Sequence, residues 1–406
     1  MTPETRQLPF PLPPPEGGRV DLLIIAGEHS GDEHAARMLA GLRARRPELK
    51  ICALGGPALA ASGAQLLHDL TASSVVGLVE VLRNVRFFRQ LFSATLRWIE
   101  QYRPGAVCFV DYPGFNLRMA RTLHARGLTT RGGGKIRALY YISPQIWAWK
   151  AGRRFEMAKH LDAMAVIFPF EVESYADTSL PVEFVGHPFV ADDYQSPVGF
   201  DAGGPVLLLP GSRRQSVARI FPALLAGYGG FAAGHADRPA VVLYPSEEIR
   251  SLLLEILRRS PAPFATRPRV ELRATGAPVA AAAVLTSSGT MSMHCALAGL
   301  PGAVAYRTNP ATYLLARWLV KVPHIGIANL LLGEAMYPEF IQGAATPARL
   351  ARELAACVDD PGRRQHSQEQ AQRLRAILHQ PASGTAADWL ARWMEPNECS
   401  RTAPYG

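Results

Sequence analysis

Short, uninterrupted apolar runs recur along the chain, each followed by a polar, Ala- and Arg-rich stretch. The first series is Asp21–Ala26, Ile51–Leu54, Ala106–Val110, Ile136–Ile142, Ala163–Phe168 and Val182–Val185. Runs of this length that alternate with helical stretches are the pattern of βαβ units. Because the runs are solidly apolar rather than alternating, helices must cover both faces of the sheet they build. The fold class this predicts is α/β, with a doubly wound parallel sheet.

A stretch rich in Pro, Gly and Asp follows Gly186-His187-Pro188 and extends to Gly204, after which the pattern restarts. The second series is Val206–Leu209, Ala240–Leu243, Val270–Leu272, Ala281–Leu285 and Ala303–Tyr306. The two halves repeat in architecture: Leu23-Ile24-Ile25-Ala26-Gly27 and Leu207-Leu208-Leu209-Pro210-Gly211 each lead from a strand into a helix. A chain of 406 residues, 48% hydrophobic, can fill a core in each half. The expected organisation is a disordered Pro-rich extension over 1–20, a first α/β domain over 21–186 and a second over 205–345. Helices over 346–395 are expected to pack back across the other domain or to swap.

The charge balance is basic, +9, and only five of the 43 cationic residues are Lys. Arg suits bidentate recognition of phosphate and carboxylate, and a basic surface suits an anionic partner. No recognition-helix, zinc or RNP-type pattern accompanies it, so nucleic acid is not the expected partner. The five cysteines, Cys52, Cys108, Cys295, Cys357 and Cys399, are widely spaced and form no C-x-x-C pair, which reads as reduced thiols. No apolar stretch is long enough to span a bilayer, so membrane contact would be peripheral.

Several turns carry chemistry. Gly27-Glu28-His29-Ser30-Gly31-Asp32 opens a helix after the first strand, where free backbone N–H groups favour an anion or a hydroxyl-rich ligand. Its spacing is not G-x-G-x-x-G, which argues against a nicotinamide or flavin dehydrogenase, and its plainer reading is a Gly turn with Asp32 as N-cap. Pro210-Gly211-Ser212-Arg213-Arg214 is the matching turn of the second half, and Ser287-Ser288-Gly289-Thr290 offers a second cluster of donors. Together they could hold a nucleotide diphosphate; singly, each is as readily a helix cap. Asp111 ends a buried strand, at the edge where open α/β sheets face their ligands, and a carboxylate there can act as a general base. Its plainer reading is a turn cap. No Asp-x-Asp or His-Glu-x-x-His occurs, and His29 and His34 are spaced wrongly for one helix face, so neither metal nor cofactor is expected.

Ser143-Pro144-Gln145-Ile146-Trp147-Ala148-Trp149-Lys150, with Arg153 and Arg154 beyond it, sets aromatics beside cations, as a sugar and phosphate site or an aromatic core would. Over 75–99, Val81, Val85, Phe88, Phe92, Leu96 and Ile99 fall at helical spacing. Phe87, Leu91 and Trp98 widen the arc, and Arg83, Arg86, Arg89 and Arg97 surround it. A basic amphipathic helix of this kind favours an anionic membrane surface, with Val85, Phe88, Phe92, Arg83, Arg86 and Arg89 facing it. The alternative is a helix burying a wide face in the core.

In order along the chain, Ala26-Gly27-Glu28-His29-Ser30-Gly31-Asp32, Val76-Gly77-Leu78-Val79-Glu80-Val81, Val110-Asp111-Tyr112-Pro113-Gly114-Phe115-Asn116, the Tyr141–Trp149 segment, Gly186-His187-Pro188, Leu209-Pro210-Gly211-Ser212-Arg213, Ser288-Gly289-Thr290 and Asn329-Leu330-Leu331 resemble the motifs of the lipid-A-disaccharide synthase family. The resemblance implies an inverting, metal-independent glycosyltransferase of the GT-B type, built from two Rossmann-like domains around a cleft. It implies transfer of diacylglucosamine from UDP-2,3-diacylglucosamine to 2,3-diacylglucosamine 1-phosphate. It also implies a cytoplasmic enzyme bound peripherally to the anionic inner membrane, and it leaves room for a homodimer formed by swapping C-terminal segments. Asp111 would then be the base, with Glu28, Ser30 and Asp32 lining the cleft from the first domain and Asn329 from the second. Ser212, Arg213, Ser288, Gly289, Thr290 and His294 would bind UDP. Two positions depart from the family pattern: His294 stands where a ribose-binding Glu is usual, and Ile327-Ala328-Asn329 replaces Leu-Pro-Asn. The rival expectations are another UDP-GlcNAc-type glycosyltransferase, a 2-epimerase, or a non-catalytic membrane- or nucleotide-binding module.

Overall fold

A computed structural model describes residues 12–71, 78–148, 150–192, 194–260, 270–309, 313 and 322–395, with the backbone alone over 78–85. The elements up to 188 are β1 (Leu22–Ala26), α1 (His29–Arg45), β2 (Ile51–Gly55), α2 (Pro57–Ala61), β3 (Gln65–Asp69), α3 (Leu78–Tyr102), β4 (Ala106–Val110), α4 (Pro113–Ala125), β5 (Arg137–Tyr141), α5 (Arg153–His160), β6 (Ala163–Val166) and β7 (Val182–Phe184). Then come β8 (Val198–Phe200), β9 (Val206–Leu209), α6 (Arg214–Ala232), β10 (Ala240–Tyr244), α7 (Glu247–Arg259), β11 (Val270–Ala274), β12 (Val279–Ala281), β13 (Ala283–Thr286), α8 (Thr290–Leu297), β14 (Gly302–Tyr306), α9 (Ile327–Leu332) and β15 (Glu339–Ile341). The chain ends with α10 (Pro347–Asp359), α11 (Pro361–Leu378) and α12 (Ala386–Met394).

The chain divides into two compact units, the first comprising residues up to 188 together with 381 onward, the second essentially 189–380. Unit 1 is a seven-stranded sheet in the order β3-β2-β1-β4-β5-β6-β7, and unit 2 a six-stranded sheet in the order β11-β10-β9-β13-β14-β15. Every strand pairing is parallel. The solidly apolar runs become the buried centre of each sheet: all five residues of β1, β2 and β4 and all four of β6, β9 and β13 are buried. Parallel strands can bury both faces only under helices on each side, which is the doubly wound arrangement.

Three local outcomes differ from the sequence reading. The run at 281–285 is not one strand; it breaks into β12, which pairs with β8 in a separate two-stranded sheet, and β13, in the main sheet. The Pro-rich stretch over 12–20 is not a free extension. Leu12 and Val20 are buried in the core of unit 1, and the carbonyls of Pro13 and Pro14 accept hydrogen bonds from Trp98 Nε1 and Gln65 Nε2, each at 2.8 Å. Proline lacks a donor but keeps its acceptor, so such a segment can be tied down by side chains alone. Residues 1–11 lie outside the described part, as does Cys399. Of the three terminal helices, α10 packs on α6 and α11 on α8 within unit 2, whereas α12 packs on α1 in unit 1.

Candidate active site

In each sheet the chain reverses its direction of winding beside the first strand of the repeat: β1 lies between β2 and β4, and β9 between β10 and β13. At such a switch point the loops leaving the two strands diverge to opposite faces and open a crevice at their carboxyl ends. In unit 1 those loops carry Glu28 to Ser30 after β1 and Asp111 to Gly114 after β4. In unit 2 they carry Gly211 to Arg213 after β9 and Ser287 to Thr290 after β13.

The turn after β4 is strained and heavily tethered. Asp111 and Tyr112 both lie in the positive-φ region, at +44° and +49°, and so does Ile142 at the end of the neighbouring β5, at +68°. Side-chain-bearing residues rarely adopt this conformation, least of all a β-branched one, and strain of about 1–3 kcal/mol per residue persists only where the surroundings enforce it. Here the Asp111 carbonyl accepts from Asn116 Nδ2 at 2.8 Å and Tyr140 Oη at 2.7 Å, and its N–H donates to the Tyr141 carbonyl at 3.0 Å. Asn116 is fully buried and also donates to the carbonyls of Ile25 and Val110, so one amide ties together the ends of β1 and β4. Gly27 makes room: a Cβ there would lie 2.2 Å from the Tyr112 ring. The Tyr112 phenol is pushed up by burial and by the Glu28 carboxylate, and that of Tyr140 by burial and then by Asp111. Glu28 and Asp111, both half-buried, thus act on neighbouring hydroxyls at one sheet edge.

Asp32, expected to line the cleft, is committed elsewhere. It is 2% exposed, and its oxygens accept from the N–H groups of Gly56 at 2.7 Å, Ala58 at 2.9 Å and Leu59 at 3.3 Å. It therefore caps α2 rather than its own helix, satisfying donors that the first helical turn leaves open. Ser30 is half-buried in the first turn of α1.

Sequence reading missed an acidic side chain at this edge. Glu171, in a short 3₁₀ turn after β6, is 2% exposed and accepts from Trp147 Nε1 at 3.3 Å and the Phe168 N–H at 3.2 Å. The signal was present as Phe168-Pro169-Phe170-Glu171, an acid one turn beyond a buried strand. Trp147 stands edge-on to Phe170, and Phe168 stacks on Phe170 and against His187. Trp149 lies outside the described residues.

In unit 2, Gly211 has φ +105°, and a Cβ there would meet Ser287 Oγ at 3.1 Å. Ser287 N–H donates to the Leu209 carbonyl at 2.8 Å, so the two turns run side by side. Ser212, Arg213, Gly289 and Thr290 are exposed and Ser288 half-buried, at the N-termini of α6 and α8, where backbone donors and the helix dipole attract an anion. His294, in α8, is 8% exposed; its Nδ1 is hydrogen-bonded to Tyr194 Oη and its ring packs on Phe189. Asn329, 1% exposed, is likewise spent internally. Its amide donates to the Tyr337 carbonyl and Glu339 Oε1, and its oxygen accepts the Tyr337 N–H. It shapes the loop before β15 rather than lining a cleft.

The described part of α3 turns its apolar stripe inward. Leu91, Ala94, Leu96, Trp98 and Ile99 are buried, and Phe87, Phe88 and Phe92 pack against the same core, with Phe92 edge-on to Phe115 at 5.5 Å. The membrane-facing role expected of Phe88 and Phe92 is corrected accordingly: these rings serve the core, because the arc is wide enough to be covered from inside. Arg86, Arg89 and Arg97 are exposed, while the side chains of Val81, Arg83 and Val85 lie outside the described residues. Among the described residues no helix is long and apolar enough to cross a membrane.

The profile of the lipid-A-disaccharide synthetase family matches residues 22–392. The chain is 34% identical to the lipid-A-disaccharide synthase of Geobacter sulfurreducens over 349 residues, covering 84% of this chain and 88% of that protein. It is 33% identical to that of Nitrosococcus oceani over 395 residues, covering 94% and 98%. Among solved structures, the glycosyltransferase of kitacinnamycin superposes with a TM-score of 0.57 at 15% identity, covering 93% of this chain and all of that one. The UDP-GlcNAc 2-epimerase of Neisseria meningitidis does so with 0.56 at 12% identity, covering 92% and 99%. These likenesses establish the GT-B fold, with two Rossmann-like units.

Proposed function

The chain belongs to the lipid-A-disaccharide synthetase family, and from that premise we propose how its residues divide the work of the reaction. The enzyme is a glycosyltransferase of lipid A biosynthesis, joining diacylglucosamine from its UDP derivative to diacylglucosamine 1-phosphate and releasing UDP. In our reading the acceptor 6-hydroxyl attacks the anomeric carbon from the face opposite UDP, and the Asp111 carboxylate takes the hydroxyl proton as the new bond forms. The negative charge that grows on the departing diphosphate meets Arg213, the Ser288–Thr290 turn and the N-termini of α6 and α8. These fixed donors do the work a divalent cation performs elsewhere. Glu28 and Ser30 bind sugar hydroxyls.

The observation that carries this reading is the turn at Asp111. A positive-φ aspartate at the switch point, its carbonyl fastened by a buried Asn and a buried Tyr, is strain held where a reacting group must be aimed. Asp111→Asn keeps the shape of the side chain and removes its basicity, so turnover should fall at least about 100-fold with KM little changed. Mass spectrometry of the product from both acylated substrates, with and without EDTA, checks the reaction and its independence of metal. Water-soluble UDP-GlcNAc serving equally well as donor would favour a different acceptor chemistry, and full turnover in the Asn variant would remove Asp111 as the base.

His294 takes the place of the usual ribose-binding acid in a different way: with Tyr194 as its partner it offers an aromatic surface to the nucleoside. Peripheral membrane attachment uses the exposed Arg86 and Arg89 of α3 against anionic headgroups. A swapped homodimer would exchange the C-terminal segment that here lies on α1.

A further inference from the structure

We infer that Gln342 is a positioning residue for the donor: its side-chain amide clamps the backbone of Thr308 and so fixes the loop that leaves β14 as a wall beside the Ser288–Thr290 turn. The inference rests on the reading of unit 2 as the half that binds UDP.

Gln342 follows β15 at the carboxyl edge of the second sheet and opens a short 3₁₀ turn, Gln342–Ala344. Its φ is +53°, and among the described residues of unit 2 it is the one side-chain-bearing residue in that region. Glycine would fit there without strain. The chain instead has glycine one position on, at Gly343, where φ lies outside the positive region and a Cβ would meet nothing within 4 Å. Strain kept at 342, next to a glycine that no close contact requires, is strain kept for a side chain.

That side chain makes a matched pair of bonds. Gln342 Oε1 accepts the Thr308 N–H at 3.2 Å, and Gln342 Nε2 donates to the Thr308 carbonyl at 3.1 Å. Filling both partners takes an acceptor and a donor side by side, which is what an amide carries. A second brace runs the other way, from Arg307 Nη2 to the Ala345 carbonyl at 2.7 Å. Two successive residues leaving β14 are therefore tied to the turn after β15.

The tied loop adjoins the turn we assign to the diphosphate. Thr286, the last residue of β13, pairs with Val304, and β14 continues two residues further, to Tyr306. Ser287 and Ser288 thus leave the sheet alongside Ala305 and Tyr306, one strand spacing of about 4.8 Å away. Arg307 and Thr308 extend beyond them on the β14 side. Ser287 is held from the other side by its N–H on the Leu209 carbonyl. Both backbone groups of Thr308 are turned to Gln342, so the clamp acts through the loop it fixes: less has to be ordered when the nucleotide binds.

Two substitutions separate strain from clamp. Gln342→Gly removes both, whereas Gln342→Ala removes the clamp and keeps a Cβ at positive φ. Titration calorimetry with UDP and steady-state kinetics with both acylated substrates should change alike in the two variants. Kd for UDP and KM for the donor should rise about tenfold, with kcat and the acceptor KM within about twofold of wild type. Thermal unfolding should instead part them. Gln342→Gly should melt within about 2 °C of wild type, lost bonds and relieved strain offsetting each other, and Gln342→Ala about 4 °C lower. UDP bound equally well by wild type and Gln342→Gly overturns the inference, as does a donor KM that follows Tm or rises together with the acceptor KM. Failure of Gln342→Gly to fold would also overturn it, by assigning the clamp to stability. UDP failing to bind the wild type would overturn the reading of unit 2, and the inference with it.

Discussion

A single buried amide, that of Asn116, holds the backbone of the turn that carries Asp111, the residue we propose as the base. Its nitrogen reaches three carbonyls, of Ile25, Val110 and Asp111, and so fixes both strand ends and the strained residue between them. Removing it leaves those carbonyls without that donor, and an unmet buried acceptor costs about 1–3 kcal/mol. Asn116→Ala should therefore lower the unfolding free energy by roughly that amount while cutting kcat by more than the stability loss explains. The strain at Asp111 and Tyr112 would relax toward ordinary φ once the tether is gone. Denaturant titration and steady-state kinetics on the same preparation separate the two effects; equal kcat in variant and wild type would show that the turn holds its shape without the amide. At this scale the sequence was legible only in part. Asp111 could be picked out because it ends an apolar run. That Asp32 and Asn329 are spent on internal hydrogen bonds could not, since the N–H groups they accept from lie 24 and 8 residues away and come near only in the fold.

The fully buried elements were the most legible. The strands at the centre of each sheet announced themselves as continuous apolar runs, because both faces are covered. The edge strand β3 and the terminal β15, with mostly half-buried residues, read as mixed sequence and were passed over. The same limit applies to α3. A wide apolar arc says that a face is covered but not by what, and the described rings turn to the core of unit 1. What remains outward is charge, Arg86 and Arg89 on one side of the helix. Attraction to anionic headgroups contributes about 1 kcal/mol per cation near the surface and is screened by salt. Reversing both charges, with Arg86→Glu and Arg89→Glu, should weaken co-sedimentation with vesicles containing phosphatidylglycerol by more than tenfold at low salt. Turnover on detergent-dispersed substrates should stay within a few-fold of wild type. Unchanged vesicle binding would assign membrane contact to another surface.

Over the whole molecule, the chain leaves unit 1 after 188 and re-enters it at 381, so unit 1 is completed only after unit 2 has been synthesised. Each unit receives a late helix on a glycine. A Cβ on Gly41 of α1 would lie 2.7 Å from that of Ala387 in α12, and a Cβ on Gly227 of α6 would lie 2.5 Å from that of Leu350 in α10. Glycine inside a helix costs about 1 kcal/mol relative to Ala, a cost offset here by the close approach it permits. On unit 1 the contact is reinforced by Asp388 pairing with Arg45 at 2.7 Å, by the bond between Arg137 and the Trp393 carbonyl, and by the fully buried Trp389. The two salt-bridging side chains are partly exposed and contribute little; the indole contributes most. Trp389→Ala should cost about 3–5 kcal/mol, and the loss should be local. Hydrogen exchange should quicken across α1, β1 and β2, whereas β9, β10 and β13 keep their protection, because α12 packs on α1 and belongs to unit 1 while those strands belong to unit 2. Since β1 carries the Glu28 turn and pairs with β4, whose end is Asp111, the same variant should lose turnover at temperatures where unit 2 remains folded. Uniform deprotection of both sheets would instead show that the two units unfold as one cooperative body.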